Sequence, residues 1–174
     1  SVANRKLERA ALTDPLTGLA NRRYALERLE QEWSTAVRYG RPIACMIIDI
    51  DHFKAVNDTH GHDAGDLVLQ QTAQILRENV RRSDVVCRFG GEEFLVICKD
   101  TNEQGVRTVA EHVRAKVEGN FFEVAGVTGH VEVSIGVAAR SAATISTKLL
   151  LKAADRALYA AKEGGRNRIC VAQE

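Results

Sequence analysis

The sequence predicts an α/β (α+β) fold in which helices flank a central mixed, partly antiparallel sheet. Three patterns lead to this prediction. Residues 43–48 form an almost wholly apolar run, typical of a central strand that is covered on both faces. The glycines at 90 and 91 separate two further apolar runs, as a β-hairpin would. Four other segments carry apolar residues at helical spacing, and such a mixture of elements favours helices packed on a sheet.

The predicted elements follow from local signals along the chain. Residues 1–12 are charged and alanine-rich, and we interpret them as the end of an upstream linker helix, with residues 13–174 as the folded domain. Turn residues at 13–18 separate the two. The predicted bounds are then a helix capped by Asn21 and ending near 39, a strand over 43–48, a short helix over 52–59, a helix over 65–80, strands over 85–89 and 92–99, a helix over 102–118, strands over 121–127 and 130–139, a helix from Thr144 or Ser146 to 163, and a strand over 168–171.

Size and charge limit the classes of function. The 174 residues suit one domain with a substantial core, and 45% hydrophobic with 27% charged residues is ordinary for a globular protein. The formal net charge of +1 argues against a broad surface for nucleic acid or membrane, so neither is an expected partner. No apolar run reaches transmembrane length, and no signal peptide begins the sequence.

Four cysteines, at positions 45, 87, 98 and 170, are far apart and lack metal-binding spacing. Most of them lie in apolar runs, which favours buried, reduced thiols over a disulfide framework. We therefore expect a cytoplasmic domain, either free or as the cytoplasmic part of a larger, membrane-anchored protein.

Acidic residues stand where two of the predicted strands end. Asp49 and Asp51 follow the apolar run, and Glu92 and Glu93 follow the paired glycines. Carboxylates at a strand end suit Mg²⁺, which needs only one or two of them in addition to substrate phosphates. Pairing of Asp49 with Glu92 across adjacent strands would complete a site for one or two ions. The alternatives are that Asp49 and Asp51 cap the following helix and that the glutamates are merely solvated.

The resemblance to a known family is carried by a signature and five further segments in the same order as in that family. The sequence resembles the GGDEF domains of bacterial diguanylate cyclases, whose signature is written here Gly90-Gly91-Glu92-Glu93-Phe94. The other matching segments are 14–22, 49–54, 57–66, 134–136 and 154–168, which together span nearly the whole chain. The family's fold resembles nucleotide cyclase and polymerase palm domains.

The resemblance implies an activity and its catalytic residues. Members of the family condense two GTP molecules into cyclic di-GMP and release two pyrophosphates. Asp49, the Ile50 carbonyl and Glu92 would bind Mg²⁺, or Mn²⁺ in its place. Glu92 is the implied proton acceptor, Glu93 belongs to the same acidic cluster, and Lys54 is near the substrate, although a surface role for Lys54 is an alternative.

The resemblance also implies how the substrate is held. Asn57 and Asp66 correspond to the guanine-reading pair, which is chemically sensible because a carboxylate accepts hydrogen bonds from the N1–H and amino group of guanine. His62 is close to the substrate, and the glycines Gly90 and Gly91 let the backbone approach the nucleotide. Lys162 and Arg166 would bind the triphosphate; the alternative is that these two cations only complement the helix dipole.

A separate regulatory site is implied by Arg81 and Asp84, which match the family's R-x-x-D motif at the expected distance before Gly90. There cyclic di-GMP would act as a feedback inhibitor. Because one domain offers one nucleotide pocket and the product needs two nucleotides, the active form should be a two-fold homodimer, brought together by an upstream sensory or regulatory domain. The alternative function is a catalytically inactive receptor for cyclic di-GMP that keeps only the R-x-x-D site.

Overall fold

The structure is a computed structural model that describes residues 1–173, apart from the side chains of residues 9 and 10. Glu174, the last residue of the predicted domain, lies outside the described residues. The helices are α1 Val2–Leu12, α2 Arg22–Tyr39, α3 Phe53–His60, α4 His62–Asn79, α5 Glu103–Glu118 and α6 Thr147–Glu163. The strands are β1 Ile43–Ile50, β2 Val85–Arg88, β3 Glu93–Lys99, β4 Phe121–Val124, β5 Val127–His130, β6 Val133–Ala139 and β7 Ile169–Val171.

A five-stranded sheet in the order β2-β3-β1-β6-β7 forms the centre of the fold. Strand β1 pairs antiparallel with both of its neighbours, β3 and β6, and only β7 runs parallel to the strand beside it. This arrangement confirms the predicted mixed, partly antiparallel sheet. It also brings the end of β1 and the start of β3 to the same edge.

Helices cover both faces of the sheet, so that every residue of β1 is buried. Its side chains alternate between the two faces, as strand geometry requires. Met46 and Ile48 belong to the core under α4 and α5, whereas Cys45 and Ile47 belong to the core under α2 and α6. Burial on both faces explains why the sequence of β1 is almost wholly apolar until Asp49.

Helix α6 lies unusually close to the sheet because Gly136 on β6 has no side chain. A Cβ atom at Gly136 would lie 2.1 Å from the Ala154 carbonyl oxygen and 2.2 Å from the Leu158 nitrogen. These distances are far below van der Waals contact, so only glycine fits there. The close packing fixes where the end of α6, and with it Lys162, stands relative to β1.

Three helices begin at the caps that the sequence predicts. The side chains of Asn21, Asn102 and Ser146 each accept a hydrogen bond from the backbone N–H three residues later. Helix α4, by contrast, begins at His62 rather than near Gly65, because Gly61 ends α3 and starts α4 without a side-chain cap. Within residues 1–173, no helix combines the length and apolarity that a bilayer crossing requires.

The segment between α5 and β6 differs from the prediction of one hairpin over 121–139. Residues Phe121–His130 instead form a separate two-stranded sheet, β4-β5. Its turn consists of Ala125 and Gly126, whose φ angles are 52° and 78°. A left-handed φ angle at an alanine cannot be read from sequence. The predicted turn, between residues 127 and 130, therefore lies a few residues after the observed one.

The four cysteines are free thiols, as predicted. Cys45, Cys87 and Cys98 are buried, and Cys170 is half-buried. Burial raises the pKa of the Cys45 and Cys87 thiols to about 12, so both stay protonated at neutral pH.

Candidate active site

Three carboxylates meet at the edge of the sheet where β1 ends and β3 begins. Asp49 lies directly opposite Glu93, and the Ile50 N–H donates to the Glu92 carbonyl oxygen at 3.2 Å. The register differs from the predicted pairing of Asp49 with Glu92, because Glu92 belongs to the turn and β3 starts one residue later. Directly opposite side chains on one face lie within about 5 Å of each other, so Asp49 and Glu93 face the same space.

Lys162, from the end of α6, is the cation of this cluster. Its Nζ lies 2.8 Å from Asp49 Oδ2. The Asp49 side chain is only 10% exposed and that of Lys162 is 33% exposed. The structure therefore joins a residue predicted to bind metal to one predicted to bind triphosphate.

The cluster carries more negative charge than Lys162 can balance. Burial raises the pKa of Asp49, Lys162 counteracts this, and the neighbouring Glu92 and Asp51 raise it further. Burial likewise raises the pKa of Glu93, with added repulsion from Asp49 and Asp155. An additional cation at this edge would relieve the repulsion.

Asp51, the other acid after β1, has different partners. Its carboxylate is buried and accepts hydrogen bonds from Ser134 Oγ at 2.6 Å and from the Asn167 backbone N–H at 3.0 Å. Helix α3 has His52 at its N-cap and no side-chain cap, so Asp51 does not cap this helix. No sequence signal pointed to these partners.

The signature turn is held by an arginine that sequence reasoning gave no role. Arg88 donates from Nε and Nη2 to the Gly91 carbonyl oxygen, at 3.1 and 2.9 Å. Its Nη1 lies 3.3 Å from Asp14 Oδ1, in a salt bridge. The Arg22 guanidinium stacks on the Phe89 ring, 4.0 Å from its centroid. The sequence carried one hint of this arrangement, because Asp14 and Arg22 both lie in segment 14–22, which resembles the family.

Gly90 and Gly91 are not needed for the fold of this turn. Neither glycine adopts a positive φ angle. A Cβ at Gly91 would meet no described atom within 4 Å, and one at Gly90 would lie in ordinary contact, 3.5 Å from the Glu93 Cβ. The glycines leave open space beside the acidic cluster.

Asn57 lies on α3 and Asp66 on α4, and these two helices pack against each other. Asn57 Oδ1 is buried and has no hydrogen-bond partner among the described residues. A Cβ at Gly65 would lie 1.9 Å from that oxygen, so Asn57 stands directly against the residue that precedes Asp66. A buried unsatisfied oxygen is costly.

The remaining predicted site residues are exposed. Lys54 lies near the start of α3, His62 begins α4, and Asp66 and Arg166 are likewise exposed. Within residues 1–173, none of these four side chains forms a hydrogen bond or ion pair with the acidic cluster. Their roles stay predictions.

The donor atoms at the sheet edge fit a hard divalent cation. Asp49 and Glu92 offer carboxylate oxygens. Within residues 1–173, the Glu92 N–H does not donate a hydrogen bond to the Ile50 carbonyl oxygen. Among the described residues, no three His, Cys, Asp or Glu side chains are grouped so that they could hold a metal ion by themselves. Such a set suits Mg²⁺ or Mn²⁺ shared with phosphate oxygens better than a metal held by protein alone.

The R-x-x-D residues form a second polar site at the opposite end of β3. Arg81 Nη2 lies 3.2 Å from Asp84 Oδ1 and 2.7 Å from Thr101 Oγ1, and it also donates to the Lys99 carbonyl oxygen. The Asp84 side chain is 2% exposed, whereas that of Arg81 is 55% exposed. Both line an open cavity of about 640 Å³.

Comparison with known proteins assigns the fold and the signature to one family. Residues 11–168 match the family described as "Diguanylate cyclase, GGDEF domain". The chain belongs to the GGDEF domain family.

Three relatives show how far the similarity extends. Response regulator PleD of Caulobacter vibrioides is 45% identical over 161 residues, which are 91% of this chain and 36% of PleD. The crystal structure of the GGDEF domain of DgcB from Caulobacter crescentus, in complex with c-di-GMP, is 36% identical with a TM-score of 0.90, covering 94% of each chain. The active GGEEF domain of a diguanylate cyclase from Vibrio cholerae is 31% identical with a TM-score of 0.85, covering 90% of this chain and 99% of that one. The chain thus spans about a third of its curated relative PleD.

Proposed function

We propose that this domain is a diguanylate cyclase, which condenses two GTP molecules into cyclic di-GMP and two pyrophosphates. The observation that carries the proposal is the 2.8 Å contact between Lys162 and Asp49, beside Glu92 and Glu93. Nucleotidyl transfer requires a metal-binding carboxylate and a phosphate-binding cation next to each other. The Vibrio cholerae domain, described as active, also carries glutamate in the third signature position.

The metal site would consist of Asp49, the Ile50 carbonyl and Glu92. Bound Mg²⁺ or Mn²⁺ would supply charge neutralisation at the phosphates and a lower pKa for the attacking hydroxyl. Glu92 would accept the proton of the 3′-hydroxyl as it attacks the α-phosphate of the second nucleotide, and pyrophosphate would leave. Lys162 and Arg166 would hold the β- and γ-phosphates, and exposed Lys54 would stabilise the charge that develops on the transferring phosphate.

Guanine would be recognised at the junction of α3 and α4. The unpartnered Asn57 oxygen would accept from the base, and the Asp66 carboxylate would accept from N1–H and the amino group. Adenine lacks a donor at N1, so it would leave these acceptors unsatisfied. His62, at the start of α4, would contact the same nucleotide, and the open space at Gly90 and Gly91 would admit its phosphates.

The active form would be a homodimer. Each domain offers one such nucleotide site, and cyclic di-GMP contains two nucleotides linked with two-fold symmetry. Product formation should therefore rise more steeply than linearly with protein concentration. An upstream regulatory domain would control the pairing, and a relative described as a response regulator supports this. A cytoplasmic location, where GTP is available, fits this role.

Cyclic di-GMP would also inhibit the enzyme at Arg81 and Asp84. A guanidinium and a carboxylate beside an open cavity suit the phosphate and base edge of a nucleotide. Arg81 would have to leave Thr101 and the Lys99 carbonyl to reach a ligand.

The test is incubation of the domain with GTP and Mg²⁺ over a range of protein concentrations, with chromatography of the products. Cyclic di-GMP at a rate that rises more than linearly with concentration supports both the activity and the dimer. Absence of product at high concentration, and also after fusion of a dimerising helix before residue 1, would refute the enzyme. Binding of cyclic di-GMP without any turnover would identify the receptor function instead.

A further inference from the structure

The turn that follows α6 has a strained backbone. Gly165, Arg166 and Asn167 have φ angles of 116°, 64° and 45°, so three successive residues adopt left-handed geometry. Residues with a Cβ rarely adopt this region because it is sterically costly. Arg166, the predicted triphosphate ligand, lies in the middle of this turn.

Two sets of contacts hold the turn at its Asn167 end. The Asn167 backbone N–H donates to Asp51 Oδ2 at 3.0 Å. The Asn167 side chain accepts from Arg114 Nη1 at 2.9 Å and donates to Glu118, both on α5. At the other end, the Arg166 N–H donates to the Ala161 carbonyl oxygen at 3.0 Å.

Asp51 is placed to connect this turn with the catalytic edge of the sheet. It follows Asp49 and Ile50 directly, and it is 6% exposed. Its second oxygen accepts from Ser134 Oγ at 2.6 Å, on the strand next to β1. Both carboxylate oxygens are therefore engaged with the protein, and a charge-assisted hydrogen bond holds the Asn167 backbone in place.

We propose that Asp51 is a positioning residue that holds the Gly165–Asn167 turn, and thereby Arg166, against the metal-binding end of β1. Asp51 touches neither substrate nor metal in this role. It acts through the Asn167 N–H. In this way it sets the distance between Asp49 and the residues at the end of α6 that would bind the triphosphate. The inference rests on the proposed function, since it specifies how that site recognises a triphosphate.

The test compares two nucleotides that share the base and differ in their phosphates. One is the α,β-methylene analogue of GTP, which cannot be cleaved at the reacting bond, and the other is GMP. The dissociation constants of both are measured calorimetrically with Mg²⁺ for the wild type, Asp51→Ala and Asp51→Asn. Asp66→Asn serves as the control at the base end of the site.

Loss of Asp51 should affect only the triphosphate. We expect Asp51→Ala to weaken binding of the GTP analogue about tenfold, as loss of one charge-assisted hydrogen bond does, and to leave GMP unchanged. Asp51→Asn should restore most of the affinity, because its Oδ1 can accept from Asn167 and its Nδ2 can donate to Ser134. Asp66→Asn should weaken both nucleotides.

The possible outcomes separate this inference from the function it rests on. A wild-type protein that does not prefer the triphosphate would overturn the proposed function and the inference with it. A preference for the triphosphate that is undiminished in Asp51→Ala would overturn the inference alone, and so would an Asp51→Asn variant that binds the GTP analogue as weakly as Asp51→Ala. If Asp51→Ala does not fold, hydrogen exchange in the wild type decides: protection of the Asn167 amide supports the inference, and exchange at the rate of a free amide refutes it.

Discussion

Removal of the Lys162 charge is the perturbation that tests the electrostatics of the acidic edge. Lys162→Met keeps most of the side-chain volume and removes the ammonium group that lies 2.8 Å from Asp49. Asp49 and Glu93 then lose the lysine charge that counteracts the rise of their pKa. The matched control is Lys152→Met, an exposed lysine on the same helix for which no hydrogen bond or ion pair occurs within residues 1–173.

The expected loss of stability follows from the geometry. Breaking a fully buried ion pair by removing one partner costs about 3–5 kcal/mol, and exposed pairs contribute about 0–1 kcal/mol. Asp49 is nearly buried but Lys162 is one-third exposed, so the free energy of unfolding should fall by about 1–2 kcal/mol at pH 7.5. The control substitution should change it by less than about 0.5 kcal/mol.

This loss should depend on pH in a defined direction. Burial raises the folded-state pKa of Asp49 above 3.8 and that of Glu93 above 4.5. As the pH falls towards these values, the folded state takes up protons before the unfolded state does, and the unbalanced repulsion is relieved. The difference between wild type and Lys162→Met should therefore be largest at pH 7.5 and smaller near pH 5.

The assay is urea unfolding of both variants and the wild type at the two pH values, in buffer with a chelator. We predict a loss of stability that is specific to Lys162→Met and that shrinks at the lower pH. The same loss at both pH values, or a loss no greater than that of Lys152→Met, would show that Lys162 does not balance the acidic cluster.

Four further substitutions test other parts of the fold and the site. Gly91→Ala should leave the melting temperature unchanged but lower cyclic di-GMP formation. Gly65→Ala should instead destabilise the fold by about 1–3 kcal/mol, because its Cβ would lie 1.9 Å from Asn57 Oδ1. Equal effects of the two substitutions on stability would contradict this expectation. Gly136→Ala should lower the free energy of unfolding further, by about 3 kcal/mol or more, because the new Cβ would lie within 2.2 Å of backbone atoms of α6. Thermal unfolding measures this loss, and a melting temperature equal to that of the wild type would refute the close packing. Arg81→Ala should keep basal turnover and abolish inhibition by added cyclic di-GMP, and inhibition that persists unchanged would remove the regulatory role of Arg81.

Much of the fold could be predicted because its signals are local. The apolar run of β1 and the caps Asn21 and Asn102 depend on neighbours within one element, and the structure confirms them. The turn at Ala125 and Gly126 could not be predicted, because an alanine with positive φ carries no signal of its own. The hairpin β4-β5 was missed for that reason.

The candidate site could be predicted in its members but not in its geometry. The matched segments brought Asp49, Glu92 and Lys162 into one hypothesis. Which glutamate faces Asp49 depends on the β1–β3 register, and a shift of one residue exchanges the faces.

Contacts of high sequence separation were beyond prediction. Asp51 binds the Asn167 N–H, 116 residues away in sequence. Arg88 binds Asp14, 74 residues away. Such contacts exist only once the strands have paired and the helices have packed, so a single sequence gives no local pattern for them.

The most direct test of the central claim is the rate of cyclic di-GMP formation by Glu92→Gln. Glu92 is half-buried, and its side chain forms no hydrogen bond or ion pair with a described residue, so its replacement should leave the melting temperature near that of the wild type. Its proposed roles as metal ligand and proton acceptor make Glu92 essential, and we predict that the rate with GTP and Mg²⁺ falls at least about 100-fold. A folded Glu92→Gln variant that forms cyclic di-GMP at the wild-type rate would contradict the account.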